Sequence, residues 1–217
     1  MEIICIEAGP ILTNCYIVIS NNKNEAIIVD TALNSADLLF DIIKKRKIKV
    51  KGIILTHSHW DHSGDAGEVR MITGAPVMIH KSDEYRLLEP NKNALMFLPF
   101  EIKACPPDKY LNDMDILKFD NMEFEVRHTP GHTEGGICLV NHSEKIVFAG
   151  DTIFNQSIGR TDLPGGSTEL LLNSINRKIM TLDDNYILHC GHGPSTTVGD
   201  ERFNNPFING YFDEMDI

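Results

Sequence analysis

The stretch THSHWDH, residues 56–62, restricts how this chain can fold more than any other feature, because it puts four metal-competent side chains into six positions. These side chains are His57, His59, Asp61 and His62. In an extended segment alternate residues face one side, so His57 and His59 can converge on one ion, whereas the adjacent pair that follows must depart from that alternation. An apolar run directly precedes the motif. We therefore predict a metal site at the end of a buried strand, with more ligands there than one ion would use.

Three further motifs offer ligands in the same setting. His132 lies in TPGHTEGG, Asp151 in FAGDT and His192 in HCGHGP, each at the end of a predicted strand and beside glycines that let the backbone approach an ion closely. Two ions about 3.5–4 Å apart would use the whole set, which consists of nitrogen and oxygen donors. The predicted ligands are His57, His59 and His132 for the first ion, Asp61, His62 and His192 for the second, and Asp151 as a bridge between them.

The rest of the chain alternates short β-rich runs with amphipathic stretches, which is an α/β pattern. With 217 residues, 42% of them hydrophobic, the chain can bury one substantial core. We therefore expect residues 1–217 to form one domain. The predicted strands are Cys15–Ile19, Ala26–Val29, Gly52–Leu55, Pro76–Ile79, Phe124–Arg127, Gly136–Val140, Ile146–Ala149 and Ile187–Leu188.

Two helices are predicted from their caps and apolar faces. Ser35 is expected to cap the first, and Ser167 or Thr168 to begin the second. The predicted apolar faces are Leu38, Leu39, Ile42 and Ile43 in the first helix, and Leu171, Leu172, Ile175 and Ile179 in the second. The segment Glu89–Tyr110 is rich in Pro, Asn and Lys without periodicity, so we expect a long surface excursion that could overhang the site.

Composition excludes several classes of function. A net charge of −11 repels phosphate backbones, so we expect a small-molecule substrate and no nucleic-acid partner. The apolar runs are far shorter than the roughly 20 residues that span a bilayer, and no basic stretch with an apolar segment begins the chain, so no membrane association is expected. Five cysteines without CxxC spacing favour reduced thiols over a disulfide framework. These features predict a cytoplasmic protein.

The motifs HSHWDH, PGHTEGG, FAGDTIF, SIGRTDLPGG and HCGHGPSTT, in this order, resemble the metallo-β-lactamase superfamily and, within it, the glyoxalase II enzymes (hydroxyacylglutathione hydrolases). The resemblance implies a four-layer αββα sandwich, in which helices flank two internal mixed β-sheets, with a binuclear metal site at one edge. It agrees with the ligands predicted above. Full-length glyoxalase II enzymes carry a C-terminal helical domain that contacts glutathione. This chain resembles a short, single-domain form without it.

Other polar residues are expected to have structural roles. A lone histidine is more often a satisfied polar residue than a ligand, and we expect this of His80, His128, His142 and His189. Cys190 is expected to be a small buried thiol. Arg160 and Asp162 could recognise substrate, but an ion pair that holds their loop is favoured. The sequence does not decide whether Trp60 and Tyr85 pack in the core or line a pocket.

Metal-assisted hydrolysis is the chemistry that this site predicts. Cations lower the pKa of bound water to about 7, which supplies hydroxide without a protein base, while Asp61 ligates one ion and orients the nucleophile. Nothing in the motifs resembles an extra general acid, and a thiolate leaves without protonation where an amine does not. Thioesters are therefore favoured, and the resemblance implies S-(2-hydroxyacyl)glutathiones such as S-lactoylglutathione. Zinc is the favoured metal, with iron or manganese as alternatives.

Several alternatives stay open at this stage. The first is a glutathione persulfide dioxygenase of the same fold, which uses one iron held by two histidines and an aspartate. The segment GRTDLPGG of this chain partly resembles a loop of those enzymes. Hydrolysis of another small ester or a lactone is the second. True β-lactamases generally lack the aspartate bridge and are secreted, which speaks against that activity. A noncatalytic metal protein would be expected to close its coordination instead of leaving a bridging position open.

Overall fold

A computed structural model describes residues 1–22, 24–92 and 101–210. The strands are, in chain order, β1 (Glu2–Ala8), β2 (Thr13–Ile19), β3 (Glu25–Val29), β4 (Lys49–Ile54), β5 (Val77–His80), β6 (Lys109–Leu111), β7 (Ile116–Phe119), β8 (Met122–His128), β9 (Ile137–Asn141), β10 (Ile146–Gly150), β11 (Ile153–Phe154), β12 (Ser157–Ile158), β13 (Ile187–Cys190) and β14 (Thr196–Thr197). The helices are α1 (Ala36–Arg46), α2 (Trp60–Ser63), α3 (Ala66–Thr73), α4 (Glu84–Leu88), α5 (Thr168–Ser174) and α6 (Val198–Asn204). A 3-10 turn, Lys81–Asp83, precedes α4, and a π-helical turn, Ile175–Ile179, continues α5.

Within these residues the strands form two mixed sheets and a small hairpin. The first sheet has the order β1-β2-β3-β4-β5-β6, and the second has the order β14-β13-β10-β9-β8-β7. The hairpin consists of β11 and β12. Parallel pairing joins β3 to β4 and β10 to β13, so the carboxyl ends of each pair lie at one edge of a sheet. The predicted ligands lie in the segments that follow strands at these edges, with Asp61 and His62 in the short helix α2.

Three apolar clusters fill the spaces between four layers. Side chains of β2 alternate between them: Tyr16 and Val18 pack between the two sheets, whereas Ile17 and Ile19 pack in the cluster that contains Leu39 of α1. The third cluster joins the outer face of the second sheet to α5, its π-helical continuation and α6. Sheets that are buried on both faces need helices outside them. The αββα sandwich expected from the resemblance is therefore confirmed.

All eight predicted strands are present, with ends that differ by up to three residues from the prediction. The strands that the sequence pattern does not predict are short or lie at edges. The first of them, β1, is largely half-exposed, and β11, β12 and β14 have two residues each, too few to show a period.

The first helix departs from its prediction in two respects. Ser35 occupies the N-cap position, but its side chain makes no capping hydrogen bond, and the Asp65 carboxylate accepts the hydrogen bond from the Ala36 N–H at 2.9 Å instead. Leu38 is 48% exposed and does not share the buried face of Leu39. In the second helix Ser167 is the N-cap and accepts from the Leu170 N–H, as predicted.

The predicted excursion Glu89–Tyr110 is only partly described, because residues 93–100 lie outside the described residues. Its C-terminal part contradicts the prediction of a surface loop. Ile102 and Cys105 are buried, and Tyr110 belongs to β6, which pairs in parallel with β5. No helix in the described ranges has both the length and the apolar character needed to cross a bilayer.

Candidate metal centre

The seven predicted ligands converge at the edges of the two sheets. Their donor atoms form three groups, and within each group the atoms lie within 4.8 Å of one another. The groups are His57, His59 and His132; His57, His62 and Asp151; and Asp61, His62 and His192. An isolated antiparallel β-bridge pairs Thr13, the first residue of β2, with His192, which follows β13. This bridge joins the two sheets beside the candidate ligands.

The first group consists of three imidazoles with ring centroids 4.5–4.8 Å apart. The Nε2 atoms of His57, His59 and His132 are buried and have no hydrogen-bond partner in the described part of the chain. A buried unsatisfied polar group costs about 1–3 kcal/mol, so three at one point are a strong penalty unless they share a partner. A divalent cation is such a partner, and this set of donors therefore fits a metal ion.

The other two groups share His62, and we treat them together as the second group. The Nε2 atom of His62 lies 3.1 Å from Oδ2 of Asp61, 3.2 Å from Oδ1 of Asp151 and 3.3 Å from Nε2 of His192. Asp151 also approaches the first group, since its Oδ2 atom lies 3.5 Å from Nε2 of His132. Asp151 therefore lies between the two groups, as a bridging carboxylate must.

The protonation states in the first group suit metal binding. Burial lowers the pKa of His57 well below its ordinary value, and the neighbouring imidazole of His62 lowers it further. Burial, reinforced by His132, lowers the pKa of His59 to about 3. These two imidazoles are therefore neutral near neutral pH, which is the form that donates a lone pair to a metal.

The second group has a negative local field. Burial favours the neutral form of Asp61 and Asp151, but the adjacent His62 lowers the pKa of both, so both are carboxylates. Burial also favours neutral His62, yet the carboxylates of Asp151, Asp61 and Asp30 raise its pKa well above the ordinary value. Three carboxylates around one imidazole attract positive charge. A divalent cation supplies it.

Acceptors lie beside the outward ring nitrogens of three ligand histidines. His62 Nδ1 lies 2.9 Å from Oδ2 of Asp30, and His132 Nδ1 lies 2.7 Å from the Arg160 carbonyl oxygen. His192 Nδ1 lies 3.2 Å from the Ile11 carbonyl oxygen. Such contacts fix the tautomer that leaves Nε2 free for a metal, and they orient the ring.

Asp30 is a site residue that the sequence analysis missed. It directly follows β3 and is 1% exposed, with a left-handed backbone (φ 59°). Its carboxylate accepts hydrogen bonds from the N–H and the hydroxyl of Thr56, at 2.7 and 2.8 Å, in addition to its contact with His62. Because β3 and β4 are parallel, Asp30 and the motif meet at one sheet edge. A polar residue directly after a buried strand is the sequence feature that could have identified it.

A second missed element is a buried ion network behind the first group. Asp83 is fully buried and accepts hydrogen bonds from the Ser58 N–H at 2.8 Å and the Gly135 N–H at 2.6 Å. Arg86 lies beside it and donates to Glu134 and to the Pro164 carbonyl oxygen, both at 2.9 Å. This network ties together the three loops that carry His57, His132 and the segment after Arg160.

Gly191 allows the close approach of the last ligand loop. A Cβ atom at this position would overlap the Asp151 carboxylate and lie 2.7 Å from Cε1 of His62. Only glycine therefore lets the backbone before His192 pass beside both ligands.

A cavity of about 450 Å³ opens onto the candidate ligands. Its lining consists of His59, Asp61, His132, Asp151 and His192 together with Ile11, Trp60, Phe154, Ser157, Ile158, Arg160 and Leu163. The lining outside the ligands is mainly apolar, which is typical of a pocket for a small molecule. Trp60 is thus a pocket wall, whereas the Tyr85 hydroxyl lies 3.2 Å from Glu134 in the ion network.

The residues expected to be structural make other contacts. His80 stacks on His128 with ring centroids 3.9 Å apart, His142 lies 2.7 Å from Glu125, and His189 packs against Tyr16. Burial raises the pKa of the Cys190 thiol to about 12, which disfavours a thiolate ligand. Arg160 and Asp162 form the predicted ion pair, with two contacts of 2.8 Å.

Comparisons with known proteins agree with this geometry. A family model described as the metallo-beta-lactamase superfamily matches residues 8–192. Hydroxyacylglutathione hydrolase GloC of Haemophilus influenzae is 37% identical over 212 residues, which cover 96% of this chain and 99% of that protein. The crystal structure of BLEG-1 B3 metallo-beta-lactamase has a TM-score of 0.90 at 38% identity, covering 96% and 100% of the two chains. TTHA1623, solved in a di-iron-bound form, has a TM-score of 0.83 at 29% identity, covering 94% and 99%.

Proposed function

Since the chain belongs to the metallo-β-lactamase superfamily, we propose that it is a binuclear metal-dependent hydrolase that cleaves thioesters such as S-lactoylglutathione. One observation carries the proposal. Donor atoms of six side chains form two sets of three, and the carboxylate of a seventh, Asp151, lies between the sets. The family and the His/Asp cluster imply divalent metal ions. The proposal of two ions rests on the ligand number, because seven donors exceed the needs of one tetrahedral ion.

The chemistry that bound cations supply is hydroxide from water near neutral pH and polarisation of the ester carbonyl. The chain contributes orientation. The Thr13 hydroxyl donates to Oδ2 of Asp61 at 3.0 Å, which fixes one oxygen of this carboxylate. We propose that Asp61 orients the attacking water. The apolar side chains of Trp60 and Phe154 exclude bulk water from one side of the cavity.

The lining of the cavity supports a leaving group that departs without a proton. Apart from the candidate ligands, the described residues around it include no carboxylic acid, lysine, tyrosine or histidine that could protonate a departing atom. A thiolate leaves without a proton, whereas an amine or an alkoxide needs one. Thioester cleavage therefore suits this lining best. The likeness to GloC of Haemophilus influenzae, named as a hydroxyacylglutathione hydrolase, supports the same substrate class.

The favoured metal is zinc, because histidine and aspartate suit it and it needs no redox partner. Iron accepts the same ligands, and TTHA1623 carries two iron ions. Elemental analysis of the purified protein tests both the identity and the number of ions. We expect two per chain. A value near one under metal-replete conditions would contradict the binuclear proposal.

β-Lactam hydrolysis is the second candidate, because BLEG-1 is named as a B3 metallo-beta-lactamase and aligns over nearly the whole chain. No side chain among the described lining residues other than the candidate ligands can donate a proton, which disfavours this activity, since ring opening of a β-lactam releases an amine. A panel of acyl thioesters, lactones, β-lactams and glutathione persulfide separates the candidates. We expect thioester hydrolysis with two metals bound. Oxygen uptake on the persulfide, with one iron per chain, would support the dioxygenase alternative instead.

A further inference from the structure

The hairpin of β11 and β12 forms one wall of the substrate cavity. Phe154, Ser157 and Ile158 line the cavity, and the Phe154 ring meets the His192 ring edge-on, with centroids 6.0 Å apart. Ile153, by contrast, is fully buried in the cluster beneath the second sheet. The position of this hairpin therefore decides the width of the cavity beside the candidate ligand His192.

The backbone pairing of the hairpin holds it weakly, although Ile153 and Ile158 pack against the apolar cluster of the second sheet. The hairpin has two residues in each strand and pairs with neither large sheet, and two-stranded hairpins are marginal without further packing. Its turn also contains Gln156 in the left-handed region, at φ 57°, which a residue with a Cβ atom adopts unfavourably. Contacts from elsewhere in the chain must stabilise this conformation.

A buried pair, Glu201 of α6 and its C-cap residue Asn205, supplies further contacts. Glu201 of α6 is 0% exposed, and its Oε2 atom accepts a hydrogen bond from the Gln156 N–H at 2.8 Å. Asn205, also 0% exposed, donates to the same Oε2 atom at 2.7 Å and to the Ser157 carbonyl oxygen at 3.0 Å. The Thr196 hydroxyl donates to the other oxygen of Glu201 at 2.6 Å. Hydrogen bonds to a buried ionised group are among the strongest in proteins.

We infer that Glu201 and Asn205 are positioning residues, which hold the hairpin against the candidate metal centre and thereby set the size of the acyl group that the enzyme accepts. The inference rests on the proposed function where it concerns the acyl group. Neither residue lines the cavity. Both act on substrate through Gln156 and Ser157, and so through the wall that includes Phe154.

The test compares Glu201→Ala with Glu201→Gln and with a control at the N-cap of the same helix, Thr197→Ala. Glutamine can turn so that its oxygen faces the N–H groups of Gln156 and Asn205 while its amide faces the Thr196 hydroxyl, so the hairpin is expected to keep its place. The Thr197 hydroxyl caps α6 by accepting from the Asp200 N–H and donating to the Asp200 carboxylate. Its loss therefore weakens the helix without removing a bond to the hairpin.

The first readout is amide hydrogen exchange at Gln156, which does not depend on any substrate. We expect exchange to be faster by about tenfold or more in Glu201→Ala and to be close to the original rate in the other two variants. The second readout is the KM for acetyl and phenylacetyl thioesters of one thiol. We expect Glu201→Ala to change the ratio of the two KM values by about threefold or more, with an unchanged metal content.

A wild-type exchange rate at Gln156 together with an unchanged KM ratio in Glu201→Ala would overturn the inference. Faster exchange and a changed KM ratio in Thr197→Ala, at a matched loss of thermal stability, would overturn it too. If Glu201→Ala does not fold, Asn205→Ala decides by the same exchange measurement, because it removes the hydrogen bond to Ser157. If the wild-type protein hydrolyses no thioester, the proposed function fails while the exchange data still decide whether these residues hold the hairpin.

Discussion

Replacing Asp30 by asparagine is predicted to weaken one of the two proposed metal sites selectively. The carboxylate faces three groups, namely the N–H of Thr56, its hydroxyl and Nδ1 of His62, at 2.7–2.9 Å. An asparagine keeps the volume and tolerates the left-handed backbone of this position. Its NH₂ group, however, must face either the Thr56 N–H or His62 Nδ1. The first orientation places two donors against each other.

The second orientation changes the tautomer of His62. If the amide donates to Nδ1, the ring proton moves to Nε2, and this nitrogen can no longer ligate an ion. Loss of such an outer partner typically lowers metal affinity about 10–100-fold, or about 1.4–2.8 kcal/mol. The loss is expected at the site of Asp61, His62 and His192. The site of His57, His59 and His132 reaches Asp30 only indirectly, through Thr56 and through the His62 ring, whose centroid lies 4.1 Å from that of His57.

The assay is zinc content per chain against free zinc set by a chelator buffer, with kcat/KM measured at each point. We expect one ion to be bound as in the wild type, the other to be bound 10–100-fold more weakly, and activity to recover at high zinc. Asp65→Asn is the matched control, because Asp65 is also a largely buried aspartate but bonds to the backbone of α1. The reasoning would be refuted if Asp30→Asn bound both zinc ions with wild-type affinity. An equal loss of zinc affinity in Asp65→Asn would refute it as well.

Three further predictions follow from the site. Asp151→Ala is expected to lose metal and activity together, with a larger loss of metal affinity than the 10–100-fold expected for Asp30→Asn. Arg160→Ala is expected to keep both metals. Full metal occupancy and turnover in Asp151→Ala would show that Asp151 does not bridge. Asp83→Ala leaves the N–H groups of Ser58 and Gly135 without their acceptor, while Arg86 keeps Glu134, and should lower the free energy of unfolding by about 2–6 kcal/mol in urea titration; a loss below 1 kcal/mol would mean that the network is not structural. Exchanging glutathione for another small thiol in a lactoyl thioester should change kcat/KM by less than about tenfold. The reason is that Arg160, the arginine of the described cavity lining, is already paired with Asp162 and is not free to bind the carboxylates of glutathione. A preference for glutathione above about a hundredfold would reveal a thiol site that this lining does not show.

The sequence by itself determined the candidate ligands and most of the sheets. The ligands are legible because each lies in a short contiguous motif with its glycines, directly after an apolar run, so local order and spacing carry the information. The same holds for the strands of the core, such as β2 and β4, whose apolar residues are continuous. Four packed layers followed from the resemblance and are confirmed by the clusters on both faces of each sheet.

Tertiary structure alone decided which buried carboxylates hold the ligands and the segments around the cavity. Asp30 reaches His62, Asp83 reaches Gly135, and Glu201 reaches Gln156, in each case across tens of residues of chain. The N-cap of α1 shows the same limit, since Ser35 has the right identity and position but Asp65 makes the bond. A buried carboxylate bonds to whichever donor the topology brings within about 3 Å, and that distance depends on strand order and parallel pairing, which no local pattern of residue types contains.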